Sequence, residues 1–403
     1  MQTNLAEFIK HTDQGKEADR ILRSCVHCGF CNATCPTYQL LGDELDGPRG
    51  RIYLIKEVLE GNTPTRKTLL HLDRCLTCVN CETTCPSGVE YGKLVDIGRV
   101  RVEEQVARPL FERLQRRGLR LVMPYPRRFT PLLRLGQLFR PLLPSALKRK
   151  IPPRISAGAW PHTQHARKML ILEGCVQPAI SPAINAATAR VLNQLEISVI
   201  RAQGAGCCGA LSHHLTAPEE AKVFMRRNID AWWPHFEADA EAVIMTASGC
   251  GSVVKQYGRI LQDDPDYSEK AAKVSELTKD VSEVLRDEDT SRLRSQKPRK
   301  VAFHPPCTLQ HGQQIQGVVE NILSELNFDL TPVPDNHLCC GSAGTYSILQ
   351  RDLSQQLLTN KLDNLQKNEP ELIATANIGC LAHMQTRALV PVVHWVELLA
   401  SGR

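Results

Sequence analysis

Apolar positions fall into three textures along this 403-residue chain. Near the amino end they recur at helical spacing. Ile52, Leu54, Ile55, Val58 and Leu59 give an amphipathic helix over 51–60 that stops at Gly61, and a shorter helix is expected over 67–74. Residues 1–24 read as a helical lead-in, and Asp46-Gly-Pro-Arg-Gly50 as a turn. From 101 to 168, leucines such as Leu132, Leu133, Leu135, Leu138, Leu142 and Leu143 are interleaved with arginines and nine prolines, a density that predicts no continuous helix or sheet. From Met169 onward, short apolar runs alternate with longer amphipathic ones. Strands are expected at 169–172, 198–200 and 242–245, then near 301–303, 330–333 and 372–374. Helices are expected at 183–195, 217–232, 314–326 and 347–365. The order β-α-β-α-β, read twice, predicts parallel sheets covered by helices.

The second half is also an internal repeat. Cys175 and Cys307 lie 132 residues apart, as do Cys207-Cys208-Gly209 and Cys339-Cys340-Gly341; Cys250 and Cys380 lie 130 apart. A period this long marks a duplicated domain rather than a solenoid. The expected fold is α+β and multidomain: a helical module at 1–100, a basic connector at 101–168, and two α/β copies at 169–295 and 296–403. In each copy every cysteine follows a strand. Topology alone therefore gathers them at one sheet edge, beyond the strands' carboxyl ends, where open α/β sheets place their sites.

The strongest chemistry lies in the helical module. Cys25-Val-His-Cys28-Gly-Phe-Cys31-Asn-Ala-Thr-Cys35-Pro36 recurs as Cys75-Leu-Thr-Cys78-Val-Asn-Cys81-Glu-Thr-Thr-Cys85-Pro86. Both read C-x2-C-x2-C-x3-C-P, the run that holds cubane iron–sulfur clusters in two-cluster ferredoxins. Three thiolates two residues apart wrap one face of a cube, and the fourth serves the other cluster. The expected sets are Cys25, Cys28, Cys31 with Cys85, and Cys75, Cys78, Cys81 with Cys35. Zinc is the competing reading, but it needs neither the third cysteine nor the prolines.

Composition narrows the setting. Hydrophobic content of 42% and charged content of 23% are those of an ordinary globular protein, and 5% aromatics argues against base-stacking platforms for nucleic acid. No leader-like start and no run of 18 apolar residues are seen, so a reducing cytoplasm is expected, where clustered cysteines mean metal or redox work. The net charge of +6 hides an asymmetry: residues 101–168 carry +13 and the remainder −7. That basic, leucine-rich segment is either a patch for an anionic membrane face or a linker whose leucines pack on a neighbour.

The remaining cysteines give a weaker signal. Cys175, Cys207, Cys208 and Cys250 in one copy, and Cys307, Cys339, Cys340 and Cys380 in the other, would hold a further cluster or zinc, or stay as metal-free thiols. Gly204-Ala-Gly206-Cys-Cys-Gly209 matches the dinucleotide fingerprint, but the second copy shares only Cys-Cys-Gly. His304, His311, His337, His383 and His394 crowd copy two, each more simply read as a satisfied polar contact than as a ligand.

Together the doubled cysteine module and the two Cys-Cys-Gly domains resemble the iron–sulfur subunits of membrane-associated respiratory oxidoreductases. Glycolate oxidase, anaerobic glycerol-3-phosphate dehydrogenase and lactate-utilisation complexes have such subunits, and heterodisulfide reductase shares the Cys-Cys-Gly domain. The details point to the glycolate oxidase subunit. Thr37-Tyr-Gln-Leu-Leu-Gly-Asp-Glu-Leu-Asp-Gly-Pro-Arg-Gly-Arg-Ile-Tyr-Leu-Ile-Lys56, His71-Leu-Asp-Arg-Cys-Leu-Thr-Cys78, Asn228-Ile-Asp-Ala-Trp-Trp-Pro234 and Cys339-Cys-Gly-Ser-Ala-Gly-Thr-Tyr346 look like it. The resemblance implies two [4Fe-4S] clusters and no flavin of the chain's own. It implies flavin-binding partner subunits that oxidise glycolate, and D-lactate as a further substrate, with electrons passed to a membrane acceptor such as quinone. It places the complex on the cytoplasmic side of the inner membrane, with no glycolate oxidation by this chain alone. Other hydroxy-acid or glycerol-3-phosphate dehydrogenases, or a reductase working at the Cys-Cys-Gly sites, are the alternatives. Where the family's Cys-Cys-Gly domain often closes with C-x-x-C, Cys250 is followed by Gly-Ser-Val253 and Cys380 by Leu-Ala-His383. His383 is therefore a candidate replacement ligand in copy two.

Overall fold

The computed structural model describes residues 1–144, 148–293 and 299–400. The boundary expected between 295 and 296 lies outside them. By internal packing the chain forms two units. The first comprises Met1–Arg116, His214–Thr216 and His337–Lys361; the second comprises Arg117–His213, Ala217–Asn336 and Leu362–Arg403.

The first unit is helical. Helices Asp13–Ser24, Pro48–Leu59, Arg66–Asp73 and Tyr91–Gln105 bury Ile9, Ile21, Leu22, Ile55, Leu59, Leu72, Leu94 and Val95 in one core. Gly98 lets two of these helices approach: a methyl group there would meet Ile55 Cγ1 at 2.6 Å. The expected turn at 46–50 is in part helix, because Pro48 stands at its first turn, where a missing N–H costs no bond.

In the second unit, strands β1 (Arg167–Ile171), β2 (Ile197–Ile200), β3 (Val243–Met245) and β4 (Thr278–Asp280) form a parallel sheet in the order β2-β1-β3-β4. Strands β5 (Lys300–His304), β6 (Asp329–Leu330), β7 (Leu372–Thr375) and β8 (Val392–His394) repeat it as β6-β5-β7-β8. Each copy thus has four strands, one more than the pattern indicates. The extra strands, β4 and β8, are three residues long and are fixed by pairing with β3 and β7 rather than by apolar alternation.

The copies clasp each other within this unit. Ser248 N–H donates to the Ala376 carbonyl at 3.1 Å, and the Ser248 and Thr308 hydroxyls lie 2.7 Å apart. Fully buried His394 donates from Nε2 to the Thr246 carbonyl at 2.8 Å and accepts the Val396 N–H at Nδ1. Burial lowers its pKa to about 4, so the ring is neutral.

The connector departs from the expectation of unbroken irregularity. Helices run over Leu110–Val122 and Pro126–Phe139, the second with Pro131 inside it. A single proline removes one N–H and bends a helix without abolishing it. Neither helix buries a residue fully.

Candidate functional site

The two cysteine runs fold alike. In the first, His27 (φ 57°) and Gly29 (φ 86°) are left-handed and lead into the helix Phe30–Ala33; in the second, Thr77 (φ 52°) and Val79 (φ 49°) do the same before Asn80–Thr83. These alternating left-handed residues turn successive thiols toward one point. Gly29 takes this left-handed turn without strain, and its missing Cβ leaves room for Arg49 Nη1, which lies 2.5 Å from where that atom would stand. Val79, β-branched at positive φ, is strained.

Each trio gathers a thiol from the other run. Burial first, then charge repulsion from Cys25, Cys85 and Cys28, pushes the Cys31 thiol up to about 11. Burial first, then Cys78, Cys75 and Cys35, pushes Cys81 well up. Four thiols crowded this closely repel as thiolates, and a bound cation or cluster relieves that repulsion. The first quartet, with Cys81, lines a small apolar pocket together with Val26, Pro48, Ile52 and Tyr91. In the first quartet Cys28 is exposed and Cys31 and Cys85 are half-buried; in the second, Cys35, Cys75 and Cys81 are buried. Sulfur donors gathered in fours, the first set in an apolar pocket, fit an iron–sulfur cluster.

Sequence reasoning missed the groups around the second quartet. Asp46, fully buried, accepts from Arg51 at 3.4 Å and Arg74 at 2.7 Å, with His71 Nδ1 at 3.0 Å. Tyr346 also belongs to this unit. Its hydroxyl donates to the Arg74 carbonyl at 3.1 Å, and burial, with Cys75 and Cys339 nearby, raises its pKa.

In the first Cys-Cys-Gly copy, all four cysteines converge at the β1–β3 edge, where the sheet order reverses. Cys207 bonds both Cys175 and Cys208, and Cys208 bonds Cys250. Sulfur donors Cys175 and Cys208, then the Gly209 N–H and Arg227, hold Cys207 well below the usual thiol range. The loop is braced by Asn228, which accepts from Gly206 N–H at 2.9 Å and donates to the Cys207 carbonyl at 2.9 Å, and by Tyr257, which donates to the Cys208 carbonyl at 2.8 Å. The G-x-G-x-x-G segment leads only into the five-residue helix Ala210–His214, not the long helix a dinucleotide needs.

The motif's glycine has the same job in both copies. Gly209 (φ 88°) lies against helix Pro218–Glu237, where a Cβ would meet the Ala221 carbonyl oxygen at 2.9 Å. Gly341 (φ 84°) lies against Arg351–Gln366, where it would meet that of Ser354 at 2.7 Å. Each glycine N–H points at the first cysteine's sulfur, at 3.5 and 3.4 Å. In copy two, Cys307 and Cys380 follow β5 and β7 in the second unit, whereas Cys339 and Cys340 belong to the first. A ring nitrogen of buried His304 lies within 4.8 Å of Cys380 Sγ. His383 shares the helix Ile378–Met384 with Cys380.

A 4Fe-4S dicluster domain family matches residues 21–89, and a cysteine-rich domain family matches 169–255 and 301–385. The chain is 56% identical over 403 residues to the glycolate oxidase iron-sulfur subunit of Escherichia coli (strain K12), covering 100% of this chain and 99% of that one. It belongs to the glycolate oxidase iron–sulfur subunit family. A probable glycolate oxidase iron-sulfur subunit of Bacillus subtilis (strain 168) is 30% identical, covering 98% and 96% of the two chains. Lactate utilization protein A of Bacillus velezensis is 29% identical over 58% of this chain and 99% of its own. Iron–sulfur electron transfer within an oxidoreductase of several subunits is therefore the role of this family member. No helix among the described residues is long and apolar enough to cross a membrane.

Proposed function

We propose that the chain carries electrons from flavin-binding glycolate oxidase subunits, which convert glycolate to glyoxylate, to a membrane acceptor, with quinone as the acceptor class. Cys25, Cys28, Cys31 and Cys85 would hold one [4Fe-4S] cluster, and Cys75, Cys78, Cys81 and Cys35 a second. Such clusters supply one-electron storage, which splits the electron pair of a hydroxy-acid oxidation. The pair of crossed thiol quartets carries this reading; glycolate comes from the full-length relative. The gathering of Cys175, Cys207, Cys208 and Cys250 at one sheet edge supports a further metal or cluster there.

Purified anaerobically, the lone chain is expected to be brown, with about eight irons. Glycolate should reduce it only after its flavin-binding partners are added. Glycolate turnover by the lone chain, or colourless iron-free material, overturns the reading.

The connector supplies the membrane-facing surface in this proposal. Leu138 is 72% and Leu142 81% exposed, among Arg127, Arg128, Arg134 and Arg140. Apolar side chains ringed by cations suit an anionic bilayer face, each cation adding about 1 kcal/mol. The chain should sediment with anionic vesicles, less so as salt rises, and Leu138→Glu with Leu142→Glu should release it. Unchanged binding of that double variant removes the surface from the proposal.

A further inference from the structure

The two quartets meet unequal surroundings. At the second, buried Arg51 sets Nη1 3.1 Å from Thr37 Oγ1 and 3.9 Å from Cys35 Sγ, and Nε donates to the His71 carbonyl at 2.8 Å. Buried Arg99 donates to the carbonyls of Leu72 and Cys75 at 2.9 and 2.6 Å and to Thr77 Oγ1 at 2.7 Å. The Tyr91 hydroxyl and the Thr77 N–H point at Cys75 Sγ from 3.5 and 3.4 Å. Asp46 is shared by Arg51, Arg74 and His71; farther out, Asp73 and Glu103 share Arg108, with Arg116 also on Asp73. Arg51 and Arg99 are the cations that reach the Cys35 sulfur and the Cys75 carbonyl themselves. At the first quartet, Arg49 reaches solvent and is bound to Glu44 at 2.6 Å, and the half-buried Met1 amino group donates to the Cys25 carbonyl at 2.7 Å.

Two effects oppose each other. Burial makes an added negative charge harder to hold, whereas fixed cations and donors to sulfur make it easier. The donors decide it on the Cys75 edge: Arg51 Nη1 lies 3.9 Å from Cys35 Sγ, the Tyr91 hydroxyl and Thr77 N–H reach Cys75 Sγ at 3.5 and 3.4 Å, and Arg99 is held on the Cys75 carbonyl at 2.6 Å.

We propose that Arg51 and Arg99 give the Cys35, Cys75, Cys78 and Cys81 site the higher reduction potential of the two. A single electron on the loaded chain would then be held at the site beside Arg51 rather than at the one formed by Cys25, Cys28, Cys31 and Cys85. This rests on the ligand sets proposed above. The second site also lies beside Tyr346, whose hydroxyl donates to the carbonyl of Arg74, the residue before Cys75.

The test is an equilibrium redox titration of the full anaerobic chain, followed by electron paramagnetic resonance, with iron counted in each sample. Two waves are expected. Arg51→Leu and Arg99→Met should each lower the higher wave at least tenfold in equilibrium constant, about 59 mV for one electron, with iron retained. Arg51→Lys should restore most of the shift, and Cys28→Ser should leave that wave in place. Arg99→Met keeps the test alive if Arg51→Leu does not fold. A higher wave unmoved at full iron, or movement of the lower wave instead, overturns the ordering. A wild-type chain with iron but without two waves overturns the ligand sets and the ordering with them.

Discussion

Replacing Cys85 by serine is expected to disrupt the site around Cys25, Cys28 and Cys31 and to spare the one around Cys75, Cys78 and Cys81, although Cys85 belongs in sequence with the latter. The physical reason is the direction of the chain. Proline follows both Cys35 and Cys85, and each of these cysteines lies beyond a four-residue helix that carries it away from its own trio. Iron should fall from about eight to about four. A double-variant comparison isolates the crossing, because two changes at one site cost no more than one. Cys28→Ser with Cys85→Ser should retain about four irons, as each single variant does, whereas Cys28→Ser with Cys35→Ser should lose nearly all. Iron analysis reversed between those two doubles would mean that each run serves its own cluster.

Much of this arrangement is legible in the amino-acid order. Cysteine spacing is set by the size of the inorganic group, so ligand chemistry is written locally, and the 132-residue repeat of Cys-Cys-Gly shows as two sheets of the same strand order. What the pattern does not carry is whatever depends on distant partners. Arg51 reads as one more charged position on an amphipathic helix, yet it is buried against Asp46 and His71. Asn228 and Tyr257 brace a loop about 20 and 50 residues away, with no local trace of that role. Strand β4, Thr-Lys-Asp, has no apolar alternation and exists because β3 offers it a ladder. In the connector, proline density masks an amphipathic spacing that does specify helices. The Pro48 helix start carries a usable signal, proline at the first helical position.

Asp46→Asn is expected to destabilise the first unit by about 3–5 kcal/mol, the range for breaking one side of a buried ion pair. Asp46 and Arg51 have side-chain exposures of 0% and 1%, so water cannot replace the lost charge. Removing the carboxylate leaves Arg51 with the Thr37 hydroxyl and the His71 carbonyl, and strips Arg74 of its 2.7 Å partner. The same carboxylate holds together residues far apart in sequence, 46, 51, 71 and 74, from the segment between the two cysteine runs. Its loss therefore loosens the frame that sets Cys35 beside the second trio. Denaturant unfolding of the loaded chain, followed by its visible iron–sulfur absorbance, reads this unit selectively. The exposed pair Lys16–Asp13, with side-chain exposures of 68% and 66%, supplies the contrast: Asp13→Asn should shift stability by less than about 1 kcal/mol, because solvent already screens that pair. Equal effects of the two substitutions would show that the Asp46 cluster does not support the cysteine frame.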